Sequence, residues 1–381
     1  MDKGCPVPCE SRTHTVAAPH QNSRAEPNAM AARAEEGAEA AAASGRTVVC
    51  VTGAGGYIAS WLVKLLLSRG YAVHATVRDL SDEKTAHLKR LPGASDPQGL
   101  RLFRADLLDR GAMAAAIARC QGVFHVATPV PSGNLTDPER EMLDPAVTGT
   151  KNVLEAASAA KVRRVVVVSS MVTVEINPKN WPKDKIKDES CWSDKEFCRN
   201  NEDWYSVAKI TSEEVALEYG RRIGLDVVTI NPALVLGPLL QPTCNTSCQF
   251  LIYFLKGGPD RIRDKLWHIV DVRDVADALL LLYEAPAASG RHICAPHSVG
   301  ARDLLRLLKR MYPGYPCVNE DSIIDMDNHA PMTSDKLRKL GWSCRPLEET
   351  IADTVGFCEQ AGFLCDLQGA HCRFPPVYNK I

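Results

Sequence analysis

The stretch TVVCVTGAGGYIASWLVKLLLSRGYAVHATVRD, residues 47–79, decides the fold of this 381-residue chain. It begins with a short β-branched run at 47–51, which predicts a buried strand. A glycine-rich turn follows, and residues 58–68 then predict an apolar helix that ends before Gly70. Residues 71–77 predict the next strand. A strand, a glycine turn, a helix and a second strand in this order predict the first βαβ unit of a parallel sheet.

The same alternation continues along the chain. Further strands are predicted at 100–106, 122–128, 163–170 and 225–233, and helices at 109–119, 144–160 and 205–223. Because these strands are continuous Val and Ile runs, without alternating polar residues, we expect helices to cover both faces of the sheet. The predicted fold class is therefore α/β, a doubly wound parallel sheet of the Rossmann type.

This regularity ends after about residue 236, which indicates a second unit. A strand and a helix are predicted within 267–285, with Asp271 or Asp274 as the helix cap, and further helices at 300–311 and 346–362. We expect a disordered Ala-rich tail at 1–44, a Rossmann domain at 45–236, a smaller α/β substrate lobe at 237–370 from which some chain crosses back to the Rossmann domain, and a tail at 371–381.

The composition excludes several classes of protein. With 45 basic and 46 acidic side chains, the net charge of -1 excludes a nucleic-acid partner bound through bulk positive charge. No apolar run reaches the roughly 20 residues of a membrane span, so no membrane association is expected. The 14 cysteines contain no C-x-x-C pair, so no metal site is expected. Reduced thiols in a cytoplasmic protein are the favoured interpretation, and a Cys191–Cys198 disulfide is the alternative.

The turn between the first strand and the first helix has the pattern of a dinucleotide site. It reads Thr52-Gly53-Ala54-Gly55-Gly56-Tyr57-Ile58-Ala59. One glycine allows the tight turn, another lets the backbone approach a pyrophosphate at the helix N-terminus, and Ala59 stands where helix and strand must pack closely. Gly53, Gly55, Gly56, Tyr57, Ile58 and Ala59 are therefore predicted to bind the cofactor.

The end of the second strand indicates which nucleotide binds. An acidic residue there is typical of NAD sites, whereas this chain has Arg78, with Lys84 six residues later. Two cations suit the 2′-phosphate of NADP(H), although a solvated Arg78 beside Asp79 is the alternative. We expect the remaining contacts at the ends of the third and fourth strands, with Asp106 and Leu107 beside the adenine and Val126, Ala127 and Thr128 beside the nicotinamide ribose.

Three residues farther along the chain predict the chemistry. Ser170 follows the fifth strand, at the sheet edge where doubly wound folds bind ligands. Tyr205 and Lys209 stand one helical turn apart, so they share a helix face. We expect Lys209 to lower the pKa of the Tyr205 phenol so that it can protonate a developing alkoxide, with Ser170 holding the carbonyl. Lys209 can also bind the nicotinamide ribose.

The chain resembles the extended short-chain dehydrogenases/reductases, and among them plant cinnamoyl-CoA reductases and dihydroflavonol 4-reductases. The resemblance lies in VTGAGGYIASWLVKLLLSRGYAV, ATVRD, GVFHVATPV, VTGTKNVLEAA, DESCWSDKEFC, WYSVAK, NPALVLGPLLQPT and VDVRDVADALLL, which span roughly residues 46–362. It implies reduction of a phenolic small molecule, in lignin or defence-related metabolism. It also implies further NADP(H) contacts from Pro232, Ala233, Leu234, Val235 and Ser247.

The chain departs from both relatives at expected substrate positions. Cinnamoyl-CoA reductases place a His and a Lys where this chain has Phe250 and Tyr253, which predicts weak binding of coenzyme A phosphates. Arg273 matches a family position implicated in the thioester site. Dihydroflavonol reductases place an Asn at the position of Glu175. These four residues are the predicted substrate contacts, and poor turnover of a thioester is expected.

Two functions from different classes remain open at this point. The first is an NADPH-dependent carbonyl reductase acting on a phenylpropanoid-type thioester, aldehyde or ketone. The second is an NADP-binding regulatory protein with little turnover, which the changed substrate positions favour and the intact Ser170, Tyr205 and Lys209 disfavour. An epimerase or dehydratase with tightly held NAD is disfavoured by Arg78.

Overall fold

A computed structural model describes residues 45–128, 136–178, 181–182, 185–325, 330–365 and 372–378. In chain order its strands are β1 (Val48–Thr52), β2 (Ala72–Val77), β3 (Leu100–Arg104), β4 (Gly122–His125), β5 (Arg164–Val168), β6 (Val227–Pro232), β7 (Leu234–Leu236), β8 (Ile262–Asp264), β9 (Leu266–Asp271), β10 (Gly290–Cys294), β11 (His297–Gly300) and β12 (Ile323–Asp325). The predicted tail at 1–44 lies outside the described residues.

The helices follow the same order and fall largely where the sequence pattern predicts them. They are α1 (Tyr57–Ser68), α2 (Asp82–Lys89), α3 (Arg110–Ile117), α4 (Asp144–Ala159), α5 (Val172–Glu175), α6 (Lys195–Asn200), α7 (Trp204–Ile223), α8 (Thr246–Lys256), α9 (Val272–Glu284), α10 (Ala301–Met311), α11 (Asp335–Lys339) and α12 (Leu347–Gln360). A π-helical turn, Glu139–Leu143, leads into α4.

The main sheet is a parallel sheet of seven strands in the order β10-β6-β5-β4-β1-β2-β3. Successive side chains of a strand point to opposite faces, and β1 is buried along its whole length. Val49 and Val51 pack on one face with α1 and α9, whereas Val48 and Cys50 pack on the other with α3 and α4. The predicted doubly wound Rossmann fold is therefore confirmed.

The order of the strands places the ligand site. The chain runs outward from β1 through β2 to β3, and then returns to β4 on the other side of β1. Open α/β sheets bind ligands outside the carboxyl ends of the strands at such a reversal. The glycine turn follows β1 and Ser170 follows β5, so both lie at this edge of the sheet.

The smaller lobe carries a core of its own. The three-stranded sheet β11-β9-β7 and the pair β12-β8 surround a cluster of buried side chains that includes Phe250, Trp267, Leu304 and Ile351. Strand β10 comes after β7, β8 and β9 in the chain, yet it pairs with β6 in the main sheet. Residues 372–378, assigned to a tail from the sequence, pack against this lobe through Phe374.

Two further findings bear on the sequence-based expectations. Cys191 and Cys198 are both buried free thiols in the structure. Asp271, one of the two proposed caps of the helix now numbered α9, accepts a hydrogen bond from the Arg273 backbone N–H at 2.8 Å. Within the described ranges, no helix combines the length and the apolar character that crossing a bilayer requires.

Candidate active site

A cleft of about 2460 Å³ runs across the carboxyl ends of the parallel strands. It extends from the glycine turn past Arg78 to Ser170 and Tyr205, and from there to the lobe. Pockets for single small molecules typically measure about 300–1,000 Å³. The cleft therefore has room for a dinucleotide and a second molecule together.

The glycine turn is built around Gly53. Its φ of +65° lies in the left-handed region, and a Cβ there would stand 2.9 Å from the Cβ of Ala127. The Gly53 N–H donates to Thr76 Oγ1 at 3.1 Å, which ties the turn to β2. Gly56 immediately precedes α1 and leaves the first N–H groups of that helix open. The turn therefore fits the pyrophosphate of a dinucleotide, because backbone can approach it without a side chain in between.

Cationic side chains line the cleft beyond β2. Arg78 and Lys84 are both exposed and face the same cleft as the glycine turn. The neighbouring Asp79 accepts hydrogen bonds from the Ser81 backbone N–H and hydroxyl, each at 2.9 Å. These bonds hold the pKa of Asp79 below its usual range. Arg78 and Lys84 thus stand where a 2′-phosphate of NADP(H) would need partners.

The structure brings nearly all the predicted cofactor residues to this one cleft. Those that line it are Gly53, Gly55, Gly56, Tyr57, Ile58, Ala59, Arg78, Lys84, Asp106, Leu107, Val126, Ala127, Thr128, Tyr205, Pro232, Ala233, Leu234, Val235 and Ser247. Lys209 is buried behind the cleft wall and reaches it through Thr128.

Ser170 and Tyr205 meet at the centre of the cleft. Strand β5 ends at Val168, two residues before Ser170, while Tyr205 lies in the first turn of α7. Asp203 caps that helix by accepting from the Ser206 N–H at 3.2 Å. The Ser170 and Tyr205 side chains line the same cleft, and Ser170 is near enough to act on the Tyr205 phenol. Burial raises the pKa of Tyr205, the Asp203 carboxylate adds to this, and Ser170 opposes it.

Lys209 is buried next to the cleft, one helical turn from Tyr205. Its ammonium donates to Thr128 Oγ1 at 2.8 Å and to the Val168 carbonyl at 3.2 Å. Burial lowers its pKa to about 8, against the attraction of Glu213. The expected lowering of the Tyr205 pKa by Lys209 is absent from this arrangement, since burial dominates the phenol and its pKa is raised. Tyr205 therefore stays protonated at neutral pH.

A buried ion pair beneath these residues was missed by sequence reasoning. Glu213, one turn beyond Lys209, is fully buried and pairs with Arg291 of β10 at 3.0 Å. It also accepts from Ser169 at 2.7 Å and from Thr229 at 2.6 Å. Arg291 stacks on Trp192, with 3.6 Å between its Cζ and the ring centroid. The pair thus fixes the backbone next to Ser170. Its only signal in the sequence was a charged residue on the inward face of α7.

The four predicted substrate residues do not come together. Glu175 lines the cleft and pairs with Lys265 at 3.5 Å. Phe250 and Tyr253 are fully buried in the lobe, because α8 is apolar around most of its surface and packs inside the lobe core. Arg273 is held outside the cleft by Asp271 and Asp353, each at 2.7 Å. The prediction that Phe250, Tyr253 and Arg273 contact the substrate directly is therefore wrong. The first two are buried in the lobe core, and the third is paired with carboxylates outside the cleft.

Known proteins share this fold over most of the chain. Residues 49–294 match the model of the NAD dependent epimerase/dehydratase family. Cinnamoyl-CoA reductase 1 of Petunia hybrida is 44% identical over 319 residues, which cover 83% of this chain and 93% of that protein. Among solved structures, vestitone reductase from alfalfa has a TM-score of 0.74 and 32% identity, with 84% of this chain and 100% of that chain covered.

Gre2 from Candida albicans, solved in complex with NADPH, has a TM-score of 0.71 and 28% identity, with 83% of this chain and 99% of that chain covered. The family resemblance predicted from the glycine turn and the Tyr205–Lys209 helix is thereby confirmed. This chain belongs to the NAD dependent epimerase/dehydratase family, within the branch of reductases that includes cinnamoyl-CoA reductase.

Proposed function

We propose that this chain is an NADPH-dependent carbonyl reductase acting on a small phenolic molecule, a phenylpropanoid-type aldehyde, ketone or thioester. The observation that carries the proposal is the placement of Ser170 and Tyr205 in the same cleft that the glycine turn lines. A proton donor and a dinucleotide cradle in one cleft are what reduction of a carbonyl group requires.

The residues divide the chemistry between them. Bound NADPH supplies the hydride. The Ser170 hydroxyl can donate to the substrate carbonyl oxygen and orient it, and Tyr205 gives that oxygen a proton as negative charge develops on it. Because burial keeps the Tyr205 phenol protonated at neutral pH, the proton is available when the substrate binds. The phenolate left behind is stabilised by Ser170, while Lys209 holds Thr128 at the cofactor end of the cleft.

The choice of NADP(H) over NAD(H) rests on charge. Arg78 and Lys84 line the end of the cleft where the adenosine ribose would lie, and two cations favour a 2′-phosphate over a 2′-hydroxyl. The solved structure of Gre2 with NADPH supports the same choice.

The class of substrate is inferred from the cleft wall and from the relatives. Trp181 and Trp204 line the cleft, and such rings suit a planar phenolic group. Cinnamoyl-CoA reductase, whose name gives a phenylpropanoid thioester, is among the relatives.

The test is a panel of feruloyl-CoA, coniferaldehyde, a dihydroflavonol and a simple ketone, each with NADPH and with NADH. We expect steady oxidation of NADPH with at least one phenolic compound. Tyr205→Phe should abolish turnover and leave NADPH binding unchanged, because it removes only the transferable proton. Tyr219→Phe, on the same helix but outside the cleft, is the matched control and should retain full activity.

Two results would contradict the proposal. Retained activity in Tyr205→Phe would show that another group supplies the proton. NADPH binding without turnover of any compound in the panel would instead favour the regulatory protein, the alternative function considered from the sequence.

A further inference from the structure

Residues 372–378 form a segment that returns from the end of the lobe to the cleft, and we call it the C-terminal strap. Its position is fixed by a single carboxylate. The Phe374 N–H donates to Asp260 Oδ2 at 2.8 Å, and the Arg373 guanidinium pairs with Asp260 Oδ1 at 2.5 Å. Asp260 is in turn held by the Tyr253 hydroxyl, which accepts from its backbone N–H at 2.6 Å. The strap is therefore attached to the lobe at a defined place.

Between Asp260 and the cleft, the strap is held by contacts between aromatic rings. The Phe374 ring is 4% exposed and lies 5.1 Å from Tyr253 and 5.7 Å from Phe250, centroid to centroid. The Tyr378 ring stands edge-on to Phe250 at 5.6 Å and to Trp267 at 5.9 Å. Tilted and edge-to-face pairs at these distances are attractive. The strap thus covers Phe250, one of the residues that the sequence predicted to contact substrate.

The end of the strap reaches the catalytic residues. Tyr378 lines the same cleft as Ser170 and Tyr205. Ser247 and Tyr205, which line the same cleft, both act on the Tyr378 phenol electrostatically. The Tyr378 ring therefore packs on the lobe core and also forms part of the surface of the cleft that holds the proton donor.

We propose that Tyr378 determines substrate specificity, and that its ring is the wall against which a planar aryl carbonyl compound packs next to Tyr205. This inference rests on the reductase function proposed above. An aromatic wall held by Phe250 and Trp267 cannot rotate freely, so it favours a flat ring over a flexible alkyl chain. Phe250 then influences substrate binding only indirectly, because it holds the Tyr378 ring in place.

The test measures binding to the complex of the full chain with NADP⁺, in which no hydride can be transferred. The probes are cinnamaldehyde, which is planar and aromatic, and hexanal, which is neither. We expect Tyr378→Ala to weaken cinnamaldehyde binding by about threefold to tenfold and to leave hexanal unchanged, as expected for the loss of one aromatic pair. Tyr378→Phe keeps the ring and should keep the preference. Tyr315→Ala, a tyrosine of the same lobe outside the cleft, is the matched control.

The outcomes separate this inference from the proposed function. Unchanged cinnamaldehyde binding in Tyr378→Ala, or equal weakening of both probes, would overturn it. Tighter binding of both probes would overturn it too, because the strap would then be an obstruction. NADP⁺ affinity and melting temperature, measured for every variant, show whether the fold is intact. If cinnamaldehyde binds through Tyr378 but is never reduced with NADPH, the specificity wall stands and the reductase proposal fails.

Discussion

Replacing Glu213 with glutamine tests whether the buried ion pair supports the catalytic residues. The change keeps the size of the side chain and removes the charge that faces Arg291 at 3.0 Å. Removing one partner of a buried pair leaves the other uncompensated and costs about 3–5 kcal/mol. Arg291 keeps its bond to the Cys191 carbonyl at 2.6 Å and its stacking on Trp192, so we expect the lower end, about 3 kcal/mol. That is a large part of a typical unfolding free energy of about 5–15 kcal/mol.

The neighbouring Glu214 provides the control. It stands on the same helix and pairs with Lys195 at the surface, where the two side chains are 44% and 34% exposed. A surface pair contributes about 0–1 kcal/mol, so Glu214→Gln should change the unfolding free energy by no more than this. Urea unfolding with equal m-values for the two variants gives the comparison directly.

A pH profile shows whether Glu213 acts on catalysis as well as on stability. Its carboxylate opposes the burial that lowers the pKa of Lys209 to about 8. The charged form of Lys209 is present below this pKa and is lost as the pH rises through it, so wild-type turnover should fall above about pH 8. In Glu213→Gln the Lys209 pKa drops further, and the alkaline limb should move to lower pH. A stability loss equal to that of Glu214→Gln, with an unmoved limb, would refute this reasoning.

Three further predictions concern the cofactor turn and the lobe. Arg78→Ala should weaken NADPH about tenfold to a hundredfold and leave NADH almost unchanged, since it removes a charge-assisted bond worth about 1.5–3 kcal/mol; equal losses in titrations with the two nucleotides would exclude the 2′-phosphate contact. Gly53→Ala should destabilise the folded state by about 1–2 kcal/mol through its left-handed φ alone, with added strain from Ala127 at 2.9 Å. Gly55→Ala is the control, because a Cβ at Gly55 meets nothing closer than 3.6 Å. Equal melting temperatures for the two variants would contradict this prediction. Phe250→His should lower the unfolding free energy by about 1–3 kcal/mol without improving feruloyl-CoA turnover, because it buries an imidazole among aromatic rings; a gain in thioester kcat/KM would show that the position does contact substrate.

The sheet and the cofactor turn could be predicted because their determinants are local. Continuous Val and Ile runs report burial on both faces, and the residues around Gly53 report the turn directly. The helix Asp82–Lys89 was not predicted, since its sequence DEKTAHLK has almost no apolar face to reveal it. Ser170 and Tyr205 could be paired because each stands at the end of an element whose direction the fold determines.

The rest of the site depends on contacts between distant parts of the chain. Tyr378 belongs to no motif and lies far from Tyr205 in sequence, so only the path of the strap reveals that the two residues line one cleft. Phe250 was expected at the substrate because an alignment position gives no information on which way a helix face points. Glu213 was overlooked because a charged residue in a helix usually faces solvent, and its partner Arg291 comes from another strand.

Strand β10 has a consequence for how the protein is made. It forms one edge of the main sheet, yet Gly290–Cys294 follows much of the lobe in the chain. During synthesis from the N-terminus, β1 to β6 leave the ribosome before β10 does. The ion pair of Glu213 with Arg291 therefore cannot form until β10 has been synthesised. Until then the nascent Rossmann domain exposes an unpaired edge at β6 and holds an uncompensated carboxylate next to Ser169. The catalytic half of the molecule therefore acquires its final stability only after the lobe has begun to form, which ties the folding of the two halves together.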